Sequence, residues 1–290
     1  MNIYLKVICT VLIVSLLLSV FILNQKEITS TSSHSSLVNT STISSANNTI
    51  PSEKISEMVK IPRGTIFINA TTPEIAEMVL LYNGTLQPGD SLSLYLHPFV
   101  EERCNVTSDV DAPHVAQVVM EQYGGLPDDA VLTSNETNYI EEYNENTQRV
   151  EAKLPVMTSV SYSRTINGTP LVGHVDSIRL DLGDNNEVID LQKVWRTLTY
   201  TGQNAHIIPP EKAIEKMQNG ELLNDDNLLS GGYVGNIGEI GNISFAYYEK
   251  SDSAYEITYE PVWVFEGGES YGNMPMTFYI DATDFVTPAG

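Results

Sequence analysis

Residues 5–23, "LKVICTVLIVSLLLSVFIL", contain one charged side chain, Lys6. About 19 apolar residues in a row are enough for a helix to cross a hydrocarbon core of ~30 Å. A cleaved signal peptide would have a shorter apolar stretch and a small-residue exit site, and "FILNQKE" offers none. Cys9 lies inside the run rather than after it, so it is not placed as a lipid-attachment cysteine. The run reads as an uncleaved signal anchor over residues 1–24, which tethers everything that follows to a membrane surface.

The next segment, residues 25–56, is dominated by serine and threonine and has no apolar period. Such a stretch cannot bury enough surface to fold and reads as a stalk. Asn-x-Ser/Thr sequons occur at Asn39, Asn47, Asn69, Asn83, Asn105, Asn135, Asn167 and Asn242. Their number exceeds chance expectation and points to an extracytoplasmic glycoprotein with its C-terminal domain outside the cell. The expected localisation is therefore a single-pass cell-membrane protein.

Beyond the anchor only Cys104 remains, so no disulfide can form within the exterior domain and packing must hold it together. The formal net charge of −22 argues against nucleic acid or an anionic lipid surface as partner.

Alternation of apolar and polar residues marks strands at 64–70, 91–97, 130–133, 138–143 and 158–165. Asn167-Gly168 predicts a hairpin. Ile178, Leu180 and Leu182 alternate before the turn "GDNN", Val188 leads the return strand, and Trp195 is expected near the core. Further strands are expected at 242–250, 255–267 and 276–282, with Pro261 marking an edge or a bulge. Three helices are expected, each with proline in its first turn. The first runs from Thr72 and Pro73 to Gly84. The second is capped by Asp111 and ends at Gly124-Gly125. The third opens at Pro210, buries Ala213, Ile214 and Met217, and stops at Gly220.

No sequence signal for catalysis emerges. His-Glu-x-x-His, Cys-x-x-Cys, the phosphate-loop pattern and the nucleophile elbow are absent. The glycine-rich "GGYVGNIGEIGN" at 231–242 lacks a basic anchor and reads as a loop. His174 and Asp176, two apart, would need a third ligand to hold a metal. No catalytic, metal or cofactor residue is assigned, and no small-molecule substrate is expected. Aromatic residues crowd the last strands, and Tyr247, Tyr255, Tyr259, Trp263, Met274 and Met276 are the expected protein-contact surface.

The segments "IIPPEKAIEKMQNG", "YEPVWVFEG" and "TFYIDATDF" resemble PepSY-type domains. With "SVSYSRTINGTPLVG" and "VWRTL" the exterior part is similar to YycH/YycI-type accessory proteins of two-component regulatory systems. The resemblance implies an α+β architecture, with antiparallel sheets each covered by a short helix in tandem units, at 57–200 and at 201–290. It also implies a non-enzymatic role: binding and regulating another envelope protein, a sensor kinase or a peptidase. The stalk and sequons set the chain apart from those bacterial proteins and fit an archaeal surface protein. Two other readings stand beside this one, a structural cell-surface glycoprotein and a metal-dependent surface enzyme.

Overall fold

The computed structural model describes residues 49–61, 64–97, 105–173, 176–223, 237–249, 256–270 and 274–289. The apolar run, the stalk to residue 48, Cys104, His174 and Tyr255 lie outside the described residues. No helix among the described residues is long and apolar enough to cross a membrane.

In chain order the elements are β1 (Thr49–Ile50), β2 (Lys54–Ile61), β3 (Gly64–Thr71), β4 (Ile75–Ala76), β5 (Met78–Thr85) and β6 (Ser91–Tyr95). Helix α1 (Ala112–Glu121) precedes β7 (Ala130–Asn144), β8 (Arg149–Ile166), β9 (Thr169–Gly173), β10 (Ser177–Leu182), β11 (Val188–Val194) and β12 (Thr197–Ile207). Helix α2 (Pro210–Gln218) precedes β13 (Ile237–Glu249), β14 (Glu256–Ser270), β15 (Met274–Asp281) and β16 (Thr283–Pro288).

This architecture overturns the expected α+β class. The described residues are 66% strand and 9% helical, and fourteen strands join in one curled, half-barrel sheet. The described residues do not form tandem helix-covered sheets. Within the one sheet β13 and β14 change partners along their length. Residues 256–259 of β14 pair with β5, and residues 262–270 pair with β15. Pro261 sits at that changeover, where its missing N–H disturbs neither ladder. It marks a change of partner rather than an outer edge. On the other flank β13 runs parallel to β3 at 237–240 and parallel to β9 at 247–249.

The helix expected over 72–83 is not formed. The segment folds as β4 and β5, with β5 held between β12 and β14. Its apolar spacing suits either period, and two flanking ladders satisfy its backbone where an isolated short helix would be marginal. Thr72 is buried and accepts a hydrogen bond from Glu53 N at 2.9 Å instead of capping a helix. Gly84 is required in β5: a Cβ there would lie 2.2 Å from the Tyr259 hydroxyl.

The other two helices form where the proline and glycine signals place them. In α1, Asp111 occupies the N-cap position but makes no capping bond; its carboxylate accepts from Ser108 Oγ at 2.7 Å. Ala112, Ala116 and Met120 bury one stripe of α1 against Val160, Tyr162, Ile178, Leu180, Leu182 and Leu191. Helix α2 buries Ala213, Ile214 and Met217 in a larger core built from β3, β13, β14 and β15, around Trp263 and Phe265. Gly220, with φ 81°, ends α2. The Asn167-Gly168 hairpin forms with both residues at positive φ, 53° and 82°.

Candidate interaction surface

The strand alternation that fixes β8 puts Val160, Tyr162, Arg164 and Ile166 on one face. All four are buried, so Arg164 must find partners inside the protein. It finds Asp176, which pairs with its Nη1, and Asp129, whose Oδ2 is 2.8 Å from its Nε. A second guanidinium, Arg196, lies between β11 and β12. Its Nη1 is 2.7 Å from Asp176 Oδ1 and 2.7 Å from Glu249 Oε1. The Arg196 backbone N–H also donates to Asp176 Oδ2 at 3.2 Å. Tyr259 completes the set by donating its hydroxyl to Asp176 Oδ2 at 2.8 Å. The Arg164 guanidinium also packs 4.6 Å from the centre of the Trp195 ring, and Trp195 Nε1 donates to Asp129 Oδ1 at 3.1 Å.

This ion junction ties β8, β13, β14 and the segments flanking β7, β10 and β12. Two arginines are already balanced by Asp129 and Asp176, so Glu249 is the surplus carboxylate. Burial, reinforced by nearby Asp176, pushes the Glu249 carboxyl up to about 7, although Arg196 opposes the shift. Burial also raises the Tyr259 hydroxyl, and Asp176 adds to that. An open cleft of about 320 Å³ borders the junction, lined by Asp90, Asp129, Arg164, Lys193 and Trp195. Of the carboxylates facing it, Asp129 is committed to guanidinium and indole partners and Asp90 accepts from the Gln87 backbone N–H at 2.8 Å, and the junction acts as a structural clamp. Asp176 is buried inside the junction rather than on a strand surface. Among the described residues, no group of three or more His, Cys, Asp or Glu is placed to hold a metal ion.

The expected contact surface in the last strands is not a surface. Tyr247, Tyr259, Trp263 and Met276 are all buried. Tyr247 donates to Leu80 O at 2.7 Å and Trp263 Nε1 to Ile208 O at 2.9 Å. The aromatic crowding on β13 and β14 is the core itself, because both strands have neighbours on each side and layers on each face. Met274 pairs through its backbone with Ser270, while its side chain, like Tyr255, lies outside what the structure describes.

Of the sequons, Asn39 and Asn47 lie outside the described residues. Asn69, Asn105, Asn167 and Asn242 are exposed, and Asn83 and Asn135 are half-buried. Asn69 and Asn242 each donate to a glutamate, Glu239 and Glu266, at 3.3 and 2.7 Å.

Among the described residues, exposed apolar groups lie at several places, Val110 and Tyr95 being the most exposed, and five of them, Val131, Leu132, Tyr139, Tyr143 and Val150, fall on the β7–β8 hairpin. Strand β10 pairs with β8 only at residues 158–163, so residues 138–157 continue as a two-stranded ribbon beyond the rest of the sheet. In its register Tyr139 faces Pro155, Glu141 faces Lys153 and Tyr143 faces Val150. The two irregularities in the ribbon skip Val156 and Glu151, so the extra residues belong to β8 and β7 stays regular. Tyr139, Glu141 and Tyr143 therefore share one face. Tyr139, Tyr143 and Val150 are 52%, 58% and 42% exposed, around the Glu141–Lys153 ion pair. The sequence expectation broke β7 into two short strands and so missed the ribbon. The signal available was the tyrosine-glutamate alternation of "YIEEY" facing "VEAKLP".

No family profile matches this chain, and no curated protein matches it in sequence. Among solved structures, the chain is similar to an uncharacterized protein from Eubacterium rectale ATCC 33656. The identity is 12% and the TM-score 0.33, with 64% of this chain and 56% of that chain covered. The chain thus spans little more than half the length of that protein, and a likeness at this level bears on neither fold nor activity.

Proposed function

We propose that this is a membrane-anchored, extracytoplasmic, non-enzymatic protein that binds and regulates another envelope protein, a sensor kinase or a peptidase. The observation that carries this reading is the ribbon at 138–157, which presents two tyrosines and a valine to solvent on a projecting element. Tyrosine is the side chain that recurs at the energetic centres of protein interfaces, since it brings a large apolar area with few rotatable bonds. A two-stranded hairpin gains little stability on its own, so exposed apolar groups on it are costly without a partner. The apolar run at 5–23 and the stalk support the same reading, because an anchor of that kind keeps the exterior domain among other membrane proteins. The ion junction fixes the opposite end of the same hairpin, through Asp129 ahead of β7 and Arg164 near the end of β8.

The test replaces residues 139–155 with an Asn-Gly turn and compares complex size after gentle solubilisation of native membranes. Wild type is expected to migrate in a complex larger than its own mass, and the shortened variant as a free chain with an unchanged melting temperature within a few degrees. A complex of the same size in both would sink the proposal.

A further inference from the structure

Strand β7 pairs with β8 alone among the described residues. Its other edge is open along 134–144, the regular part of the strand, which spans roughly 35 Å at about 3.3 Å per residue. An open edge of that length is a template for another strand, and proteins that avoid such pairing bulge it or place lysine on it. Here the irregularities within 134–144 fall on β8 instead. The strand "AVLTSNETNYIEEYN" carries three glutamates and no lysine or arginine.

These features select what can add to the edge. A second copy of this chain is disfavoured, because each copy has a formal net charge of −22 and would set glutamates against glutamates. A basic strand is favoured by the same charges. An arginine opposite Glu141 would lie between Tyr139 and Tyr143, whose ring faces attract a guanidinium. Glu136 and Glu142 would meet further basic residues. Main-chain hydrogen bonds would supply affinity, and the glutamates and tyrosines would supply selection.

We infer that the open edge of β7 binds an extended, arginine- or lysine-rich segment of the partner as an added β-strand, through Glu136, Glu141 and Glu142 and the rings of Tyr139 and Tyr143. This rests on the reading of the ribbon as the docking element and names the chemistry of what docks there.

The experiment uses the full chain in detergent micelles and three fluorescent nine-residue peptides. One repeats arginine-arginine-valine, which sets arginine on both faces of a strand, one repeats glutamate-glutamate-valine, and one repeats the first with alternate backbone nitrogens methylated. The arginine peptide is expected to bind, with affinity falling as salt rises. The glutamate peptide should bind at least tenfold more weakly, and so should the methylated one, which keeps its side chains but cannot complete a ladder. Exchanging both glutamates in E136K/E142K should weaken the arginine peptide at least tenfold, and Y143S should weaken it about threefold or more. Equal binding of the methylated peptide would overturn strand addition, and equal binding of the glutamate peptide would overturn the charge selection. Failure of all three to bind, or displacement of the arginine peptide by self-association of the chain, would overturn the inference as a whole. The two proposals fail separately. Loss of the native complex on shortening the ribbon, with no peptide binding, retains the docking role and rejects the basic strand. Peptide binding with an unchanged native complex does the reverse.

Discussion

Asp176 is the residue on which the ion junction turns. It is fully buried and accepts from Arg164, Arg196 and Tyr259 at once. Removing it leaves two guanidinium groups without their shared counter-charge, and breaking a buried pair in this way costs about 3–5 kcal/mol. D176A is expected to lose that much in urea unfolding; a loss below 1 kcal/mol would mean that water reaches the site and screens it. Glu249 makes a different prediction, because its carboxyl is raised to about 7 from an ordinary value of 4.5. Between those pH values the folded protein holds a proton that the unfolded chain has released, so stability from this group falls as pH rises. It is fully present below 4.5 and lost above 7, an effect on the order of 3 kcal/mol. E249Q cannot ionise, so relative to wild type it should gain stability between pH 5 and pH 8. Parallel stability curves for the two proteins would contradict the assignment. Arg164 stands on the apolar side of an alternating strand, a signal present in the sequence and unused in the expectations above. The partners that neutralise it leave no such signal, since Asp176, Arg196 and Glu249 come together only through the sheet's topology.

At the scale of elements, the features fixed by local chemistry were readable and those fixed by neighbours were not. Helix α2 follows from Pro210, Gly220 and one apolar stripe, and each of these does in the structure what its chemistry implies. Its role is to close the larger core, with Met217 fully buried there. M217A should cost about 2–5 kcal/mol, as truncations of buried side chains do. A cost under 1 kcal/mol would mean that α2 only rests on the sheet. Segment 75–85 went the other way because β12 and β14 flank it, and pairing partners more than 100 residues away leave no mark on a local pattern. The tyrosines of the last strands were misplaced for a related reason. Alternation shows that a strand has two faces, but it cannot show that both faces are covered. Tyr247 and Tyr259 point into one shared apolar cluster with Ile166 and Leu171, which no reading of single strands could assemble.

At the scale of the whole folded unit, the sheet runs as one hydrogen-bonded path from β16 to β6, and the β7–β8 ribbon continues past the residues that β10 pairs. The ribbon is the part of this unit that gains most by meeting another protein, because it carries exposed apolar groups and, of its two edges left unpaired among the described residues, the one along β7 is regular while the one along β8 is bulged. The most direct measurement is photocrosslinking in native membranes from a photoreactive side chain at Tyr143, with the same group at Met58, an exposed site on β2, as control. The expected result is one dominant adduct with another membrane protein from position 143, absent from position 58 and suppressed by E136K/E142K. Equal labelling from both positions, or adducts only with a second copy or with lipid, would contradict a docking role for the ribbon.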